Sequence, residues 1–171
     1  LSVGTTDPLR RGLPPVLGPS PRLLILGSFP GEASLAAGRY YAHPRNQFWP
    51  ILGALLGVSL AALPYPERLD RVAAHGIAIW DAFAACRRDG SLDAAIRDAQ
   101  RNDLDALLEA RPSIGAVAFN GATAARVEPL LAARGLATYR LPSTSPAHAG
   151  LSLDAKQARW RVLVDAGWIA A

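Results

Sequence analysis

Apolar residues in this sequence come as short continuous runs that stop at small or polar residues. Arg22-Leu23-Leu24-Ile25-Leu26-Gly27 is the first, and Gly76-Ile77-Ala78-Ile79-Trp80-Asp81 is the second. Ile114-Gly115-Ala116-Val117-Ala118-Phe119-Asn120 is the third, and Ala137-Thr138-Tyr139-Arg140-Leu141-Pro142 is a weaker fourth. Runs of this kind predict strands buried on both faces. Helical spacing fills the gaps between them. Asn46 is placed to cap a helix reaching about Leu56, and Pro66 opens a second with Leu69, Val72 and Ala73 on its buried side. Residues 103–110 carry Leu104, Leu107 and Leu108 on one face. Residues 122–133 end before Gly135, and residues 153–166 follow Ser152 as a cap.

Strands alternating with helices predict an α/β layered domain with a mostly parallel sheet. Ligand sites in such sheets form beyond the carboxyl ends of the strands. Here those ends read Gly27-Ser28-Phe29-Pro30-Gly31, Trp80-Asp81, Phe119-Asn120-Gly121 and Leu141-Pro142-Ser143-Thr144-Ser145-Pro146. All four are polar, small or aromatic, and the architecture gathers them on one edge. Residues 1–21 hold Pro8, Pro14, Pro15, Pro19 and Pro21 and read as an extended lead-in. Residues 22–171 read as one domain, without internal repeat or linker.

Composition narrows the class. At 171 residues the chain is long enough to bury a core without a staple. Its single cysteine, Cys86, excludes an internal disulfide, an all-cysteine zinc site and an iron–sulfur cluster held by cysteines of this chain. That cysteine reads as a small packing residue in a reducing compartment. No apolar run is long enough to span a bilayer, and the N-terminus has no signal-peptide core, so the expectation is a cytoplasmic protein without membrane contact. The formal charge is +4, and of 18 basic side chains only Lys156 is lysine. A pI near 9.8 admits nucleic acid as a partner without requiring it.

Candidate chemistry concentrates in Gly27 to Trp49, a stretch too long and too polar for a plain strand-to-helix turn. It carries Arg39, Tyr40, Tyr41, His43, Arg45, Asn46, Phe48 and Trp49. Arginine suits phosphate and aromatic faces suit a stacked base, so the mixture fits a nucleotide pocket. Gly27 and Gly31 make neither a Walker A loop nor a dinucleotide fingerprint, and no nucleophile elbow is present.

Three motifs together carry a family resemblance. Gly27-Ser28-Phe29-Pro30-Gly31, Tyr41-Ala42-His43-Pro44-Arg45-Asn46-Gln47-Phe48-Trp49 and Leu141-Pro142-Ser143-Thr144-Ser145-Pro146-Ala147 resemble those of the uracil-DNA glycosylase superfamily. The His-Pro-x-Asn-x-Phe-Trp element is similar to the mismatch-specific thymine/uracil branch. The serine after Gly27 and the Pro-Ser-Thr-Ser-Pro run are closer to the hypoxanthine-DNA, or deoxyinosine, glycosylase branch. The resemblance implies a three-layer α/β/α sandwich around a four-stranded, mostly parallel sheet. It implies a monofunctional enzyme without metal or cofactor, acting as a monomer on DNA that contains a deaminated base, hypoxanthine first and uracil second.

Such an enzyme must extrude the nucleotide, because a base inside a duplex is out of reach. Many relatives carry Asp or Asn in the first motif to place water. Here that motif has neither, so the resemblance moves the water-placing role to Asn46, with Ser28 assisting. Phe29 and Tyr41 are candidates to hold the base by stacking, and Asp81 and Asn120 to read its edge. Ser143, Thr144 and Ser145 suit phosphates around the extruded nucleotide, with Arg39, Arg45 and His148 contacting DNA. Each also has a plainer use: Asn46 as a helix cap, Asn120-Gly121 as a turn, Pro142–Pro146 as a rigid loop. Glu32 is a further acid, read as a solvated or loop-fixing group. Two other readings remain open, a damaged-DNA-binding relative with weak catalysis and a nucleosidase-like small-molecule hydrolase.

Overall fold

The computed structural model describes residues 7–170, so the first six residues of the predicted lead-in lie outside the described residues. In chain order the elements are β1 (Leu9–Arg11), β2 (Leu23–Gly27), α1 (Glu32–Ala37), α2 (Phe48–Leu56) and α3 (Tyr65–Ala74). Next come β3 (Ile77–Asp81), β4 (Phe83–Arg87), β5 (Arg97–Arg101), α4 (Leu104–Ala110) and β6 (Ala116–Asn120). The chain closes with α5 (Glu128–Ala132), β7 (Ala137–Leu141), α6 (Leu153–Trp160) and α7 (Val162–Asp165).

The four predicted strands form one parallel sheet in the order β3-β2-β6-β7. Side chains alternate across it, as the two-residue period of a strand requires. Leu23 and Ile25 of β2 join a core with Phe48, Trp49, Ile51 and Leu52 of α2, Val72 of α3, Trp160 of α6 and Leu163 of α7. Leu24 and Leu26 point the other way, into a core with Leu104, Leu107 and Leu108 of α4 and Leu131 of α5. The result is the expected α/β/α layering. All four of these β2 side chains are fully buried, and burial contributes roughly 1.5–3 kcal/mol for each. Cys86 packs in the second core as a free thiol, in line with its reading as a small apolar residue.

Helix boundaries follow local chemistry. Asp103 accepts from the Ala106 N–H at 2.9 Å and caps α4, and Ser152 accepts from Ala155 at 3.1 Å and caps α6. Two predicted helices are each split. Residues 122–133 give a 3₁₀ turn, Ala124–Val127, before α5, and Pro129 sits at the start of α5. Residues 153–166 divide at Arg161 into α6 and α7.

A second, antiparallel sheet in the order β1-β4-β5 has no counterpart in the sequence prediction. Leu9–Arg11 pairs with β4, so the proline-rich lead-in supplies an edge strand, where missing N–H groups are tolerated. Val16 also bridges Ile79, and the Tyr40 hydroxyl donates to the Pro14 carbonyl at 2.8 Å. This small sheet continues directly from β3: the N–H groups of Ala82 and Phe83 donate to the carbonyls of Gly27 and Ser28. That link carries the β4–β5 connection to the same edge as the carboxyl ends of the main sheet.

Candidate active site

The carboxyl edge of the parallel sheet opens into a cavity of about 520 Å³. Its wall takes residues from all four strand ends and from the β4–β5 connection. Ser28, Phe29, Tyr41, Asn46, Asp81 and Asn120 line it, with Ser143, Thr144, Ser145 and His148 closing another side. Ten of the twelve residues singled out from sequence therefore meet in one place. Arg39 and Arg45 do not line it; both are exposed nearby, and the Arg39 guanidinium lies 5.6 Å over the Tyr65 ring.

Asn46 sits ahead of α2, where its Oδ1 accepts from the Phe48 N–H at 2.9 Å. The N-cap position falls one residue later than expected, at Gln47, so Asn46 shapes the turn that enters α2 while it lines the pocket. Because the oxygen serves the helix, the amide nitrogen is the group left for a ligand or a water. Among the described residues it makes no hydrogen bond within the protein.

The Pro142–Pro146 loop is pinned on three sides. Thr144 is fully enclosed; its N–H donates to Asn120 Oδ1 at 3.0 Å and its Oγ1 accepts from Asn120 Nδ2 at 3.0 Å. The Thr144 carbonyl accepts from the Gln47 N–H, and the Pro142 carbonyl accepts from Trp160 Nε1. One donor and one acceptor of Asn120 are thus committed to the loop. Ser143 and Ser145 oxygens accept from the N–H groups of Ser145 and Ala147. Their hydroxyl hydrogens remain to donate, which suits phosphate oxygens.

Opposite lies a residue that the sequence did not single out. Asp93 lines the cavity and accepts from Ser28 Oγ at 2.7 Å, 65 positions away in the chain. Ser91, from the same connection, accepts the Glu32 N–H at 2.9 Å and helps fix the start of α1. Glu32 lies 4.0 Å from Arg10 at the surface. The only local signal for Asp93 was a polar turn, Gly90-Ser91-Leu92-Asp93, with no hydrophobic period around it. Arg88 locks this connection to the first motif. Its Nη2 donates to the Pro30 carbonyl at 2.6 Å, its Nε donates to Gly90, and its guanidinium lies 5.2 Å over the Phe29 ring. Phe29 is thereby backed by a fixed cation, and burial lowers the pKa of that arginine.

At the floor, Gly27 and Asp81 face each other in register across β2 and β3. A Cβ on Gly27 would stand 2.5 Å from Asp81 Oδ1 and 3.2 Å from the Tyr41 hydroxyl. Glycine is required by this close approach. Gly27→Ala is expected to push both side chains aside, destabilising the fold by about 1–3 kcal/mol as overpacking does. Thermal unfolding checks that cost, and base release is expected to fall by up to about a hundredfold, the scale set by a misplacement near 1 Å. Tyr41 itself holds a left-handed backbone (φ 54°), a strained conformation for a bulky residue, and its ring stacks on Phe48 at 3.8 Å.

Comparison with known proteins places this pocket in a family. The uracil DNA glycosylase superfamily model matches residues 14–164. A hypoxanthine DNA glycosylase of Methanosarcina barkeri is 37% identical over 151 residues, covering 88% of this chain and 95% of the relative. One of Methanosarcina acetivorans is 36% identical over 155 residues, covering 91% and 98%. The solution NMR structure of a candidate uracil DNA glycosylase from Methanosarcina acetivorans superposes with a TM-score of 0.83 at 36% identity, over 91% of this chain and 96% of that one. The match runs through every element that lines the cavity, and the chain belongs to the uracil DNA glycosylase superfamily.

Proposed function

We propose that this chain is a DNA repair glycosylase that hydrolyses the N-glycosidic bond of a deaminated base flipped out of DNA, hypoxanthine first and uracil second. The observation that carries this reading is the convergence of Phe29, Asn46, Asp81 and Asn120 in one cavity of about 520 Å³. That volume suits a base and its sugar. The names of the two Methanosarcina relatives support hypoxanthine as the first substrate.

Within this reading Phe29 stacks on the base, its far face backed by Arg88. Asn46 donates from its amide to the water that attacks the sugar. An amide is a poor base, but positive charge developing on the sugar makes a weak nucleophile sufficient when it is well placed. Ser28, held by Asp93, supports that water or the base. The Ser143 and Ser145 hydroxyls and His148 grip the flanking phosphates, and Arg39 and Arg45 extend the contact along the backbone. The enzyme is read as acting as a monomer. The expected place of action is the cytoplasm, on the nucleoid.

Labelled duplexes with a single hypoxanthine, uracil or xanthine, treated with alkali after incubation, test the reading. Fastest strand cleavage at hypoxanthine is the expected result. Tight binding without cleavage would instead make the chain a damaged-DNA-binding relative, and turnover of free inosine without DNA would make it a nucleosidase. Binding is also expected to weaken with salt, because phosphate contacts release counterions. For roughly two or three phosphate contacts a fourfold rise in salt lowers affinity about ten- to fiftyfold. Fluorescence anisotropy across that range checks it.

A further inference from the structure

We propose that Asp81 is the general acid of the reaction: its carboxyl, protonated, delivers a proton to N7 of a purine base as that base departs. This rests on the glycosylase reading above and adds the step by which the leaving group is made neutral. The geometry sets it up. Asp81 ends β3 at the cavity floor, nine-tenths or more buried, and its Oδ2 has no hydrogen-bond partner among the described residues. The buried hydroxyl of Tyr41 is likewise unpartnered, and it approaches the same space beside Gly27. An ionised carboxylate without partners is costly there, and a carboxylic acid is not.

The surrounding charges agree. Burial is the main cause that pushes Asp81 up to about 7, and the Asp93 carboxylate across the pocket raises it further. Arg88 pulls the other way as the smallest of the three influences; its Nε and Nη2 are held by the carbonyls of Gly90 and Pro30, and its buried Nη1 has no partner among the described residues. Tyr40 and Tyr41 are the other titratable groups beside Asp81; burial, and then the Asp81 charge, hold both phenols protonated. A carboxyl near 7 is half-protonated at neutral pH, the best compromise between having the proton and giving it up. Asp93, by contrast, is exposed and accepts a hydrogen bond from Ser28.

The step balances. The Asp81 O–H bond breaks and an N7–H bond forms. The C1′–N9 bond breaks with its electron pair passing into the ring, so the base leaves neutral. Water adds to C1′, and its surplus proton goes to solvent, from which Asp81 is reprotonated. A pyrimidine has no N7. Uracil must leave with its charge stabilised by hydrogen bonds alone, so the acid discriminates between the two base classes.

The test measures single-turnover release from DNA carrying hypoxanthine, 7-deazahypoxanthine or uracil, across pH. For the wild-type enzyme the hypoxanthine rate is expected to fall as pH rises through about 7, where Asp81 loses its proton. The 7-deaza substrate is expected to be about a hundredfold slower and to lack that limb, and uracil is expected to lack it too. Asp81→Asn should slow hypoxanthine release about a hundredfold and remove both the limb and the preference for hypoxanthine over its 7-deaza analogue. Asp93→Asn should move the limb to lower pH, because it removes a neighbouring negative charge. Equal rates on hypoxanthine and its 7-deaza analogue overturn the proposal, as does an unshifted profile in Asp93→Asn. An Asp81→Asn enzyme that still prefers hypoxanthine over its 7-deaza analogue also overturns it, with circular dichroism reporting whether that variant is folded. The 7-deaza comparison needs no variant. Absence of any base release by the wild-type enzyme sinks the glycosylase reading, and this proposal with it.

Discussion

Replacing Asn46 by alanine is expected to slow base release about a hundred- to a thousandfold, the scale of losing one positioned donor at a reacting centre. The same change removes the turn bond to the Phe48 N–H at the entry to α2, which costs about 1 kcal/mol. The two effects are separable because the side chain divides its work. Oδ1 accepts from the Phe48 N–H, and the amide nitrogen of this cavity-lining residue has no partner among the described residues. Asn46→Ser keeps a side-chain oxygen able to form the same turn but lacks the amide. It should unfold near the wild-type temperature and still release base slowly. A serine variant with near wild-type turnover would reduce Asn46 to a turn former and hand the water to Ser28. Single-turnover rates beside thermal melts decide between these outcomes.

How this site was legible follows from which interactions leave a local trace. The parallel strands did, because burial on both faces writes an uninterrupted apolar run and the turn after it writes Gly, Asp or Asn. β2 and β6 are buried throughout, and both were located within two residues. Asn46 could be placed from its position before Phe48. β5, Arg97–Arg101, left no trace: every residue is exposed, so its pairing with β4 rests on backbone hydrogen bonds and no apolar alternation is needed. Because that small sheet was invisible, so was the connection it supports, and with it Asp93. The first motif lacks an acid in sequence, yet an acid stands 2.7 Å from its serine in space. Arg39 and Arg45 show the opposite limit. Their proximity to Asn46 along the chain suggested the pocket, but a long flexible stem follows its own nearest partners. Arg39 lies over Tyr65.

Asn120→Ala is expected to disturb both stability and catalysis, through a residue that need not touch the reacting atoms. Thr144 gives Asn120 a donor and an acceptor in a fully buried position. Removing the carboxamide leaves the Thr144 N–H without its partner, and a buried unsatisfied group costs about 1–3 kcal/mol. With the second bond lost and a cavity left behind, about 2–4 kcal/mol is expected, readable by denaturant unfolding. The Thr144 carbonyl accepts from Gln47, the neighbour of Asn46, so a loosened Thr144 releases the phosphate loop and the water-placing loop together. KM for hypoxanthine DNA should therefore rise while kcat falls. Loss of base reading alone would leave the unfolding free energy within about 0.5 kcal/mol of wild type, the range of a substitution without structural consequence. A double-mutant cycle with Thr144→Ala separates the two roles. Anchoring through Thr144 predicts a coupling energy of about 1–2 kcal/mol in stability, since the two side chains share one network. Additive stabilities would show that Asn120 acts on the ligand and not through the loop. On the anchoring reading, the Asn-Gly turn that ends β6, a strand buried along its whole length, sets the distance between the groups proposed to hold DNA and the one proposed to place the water.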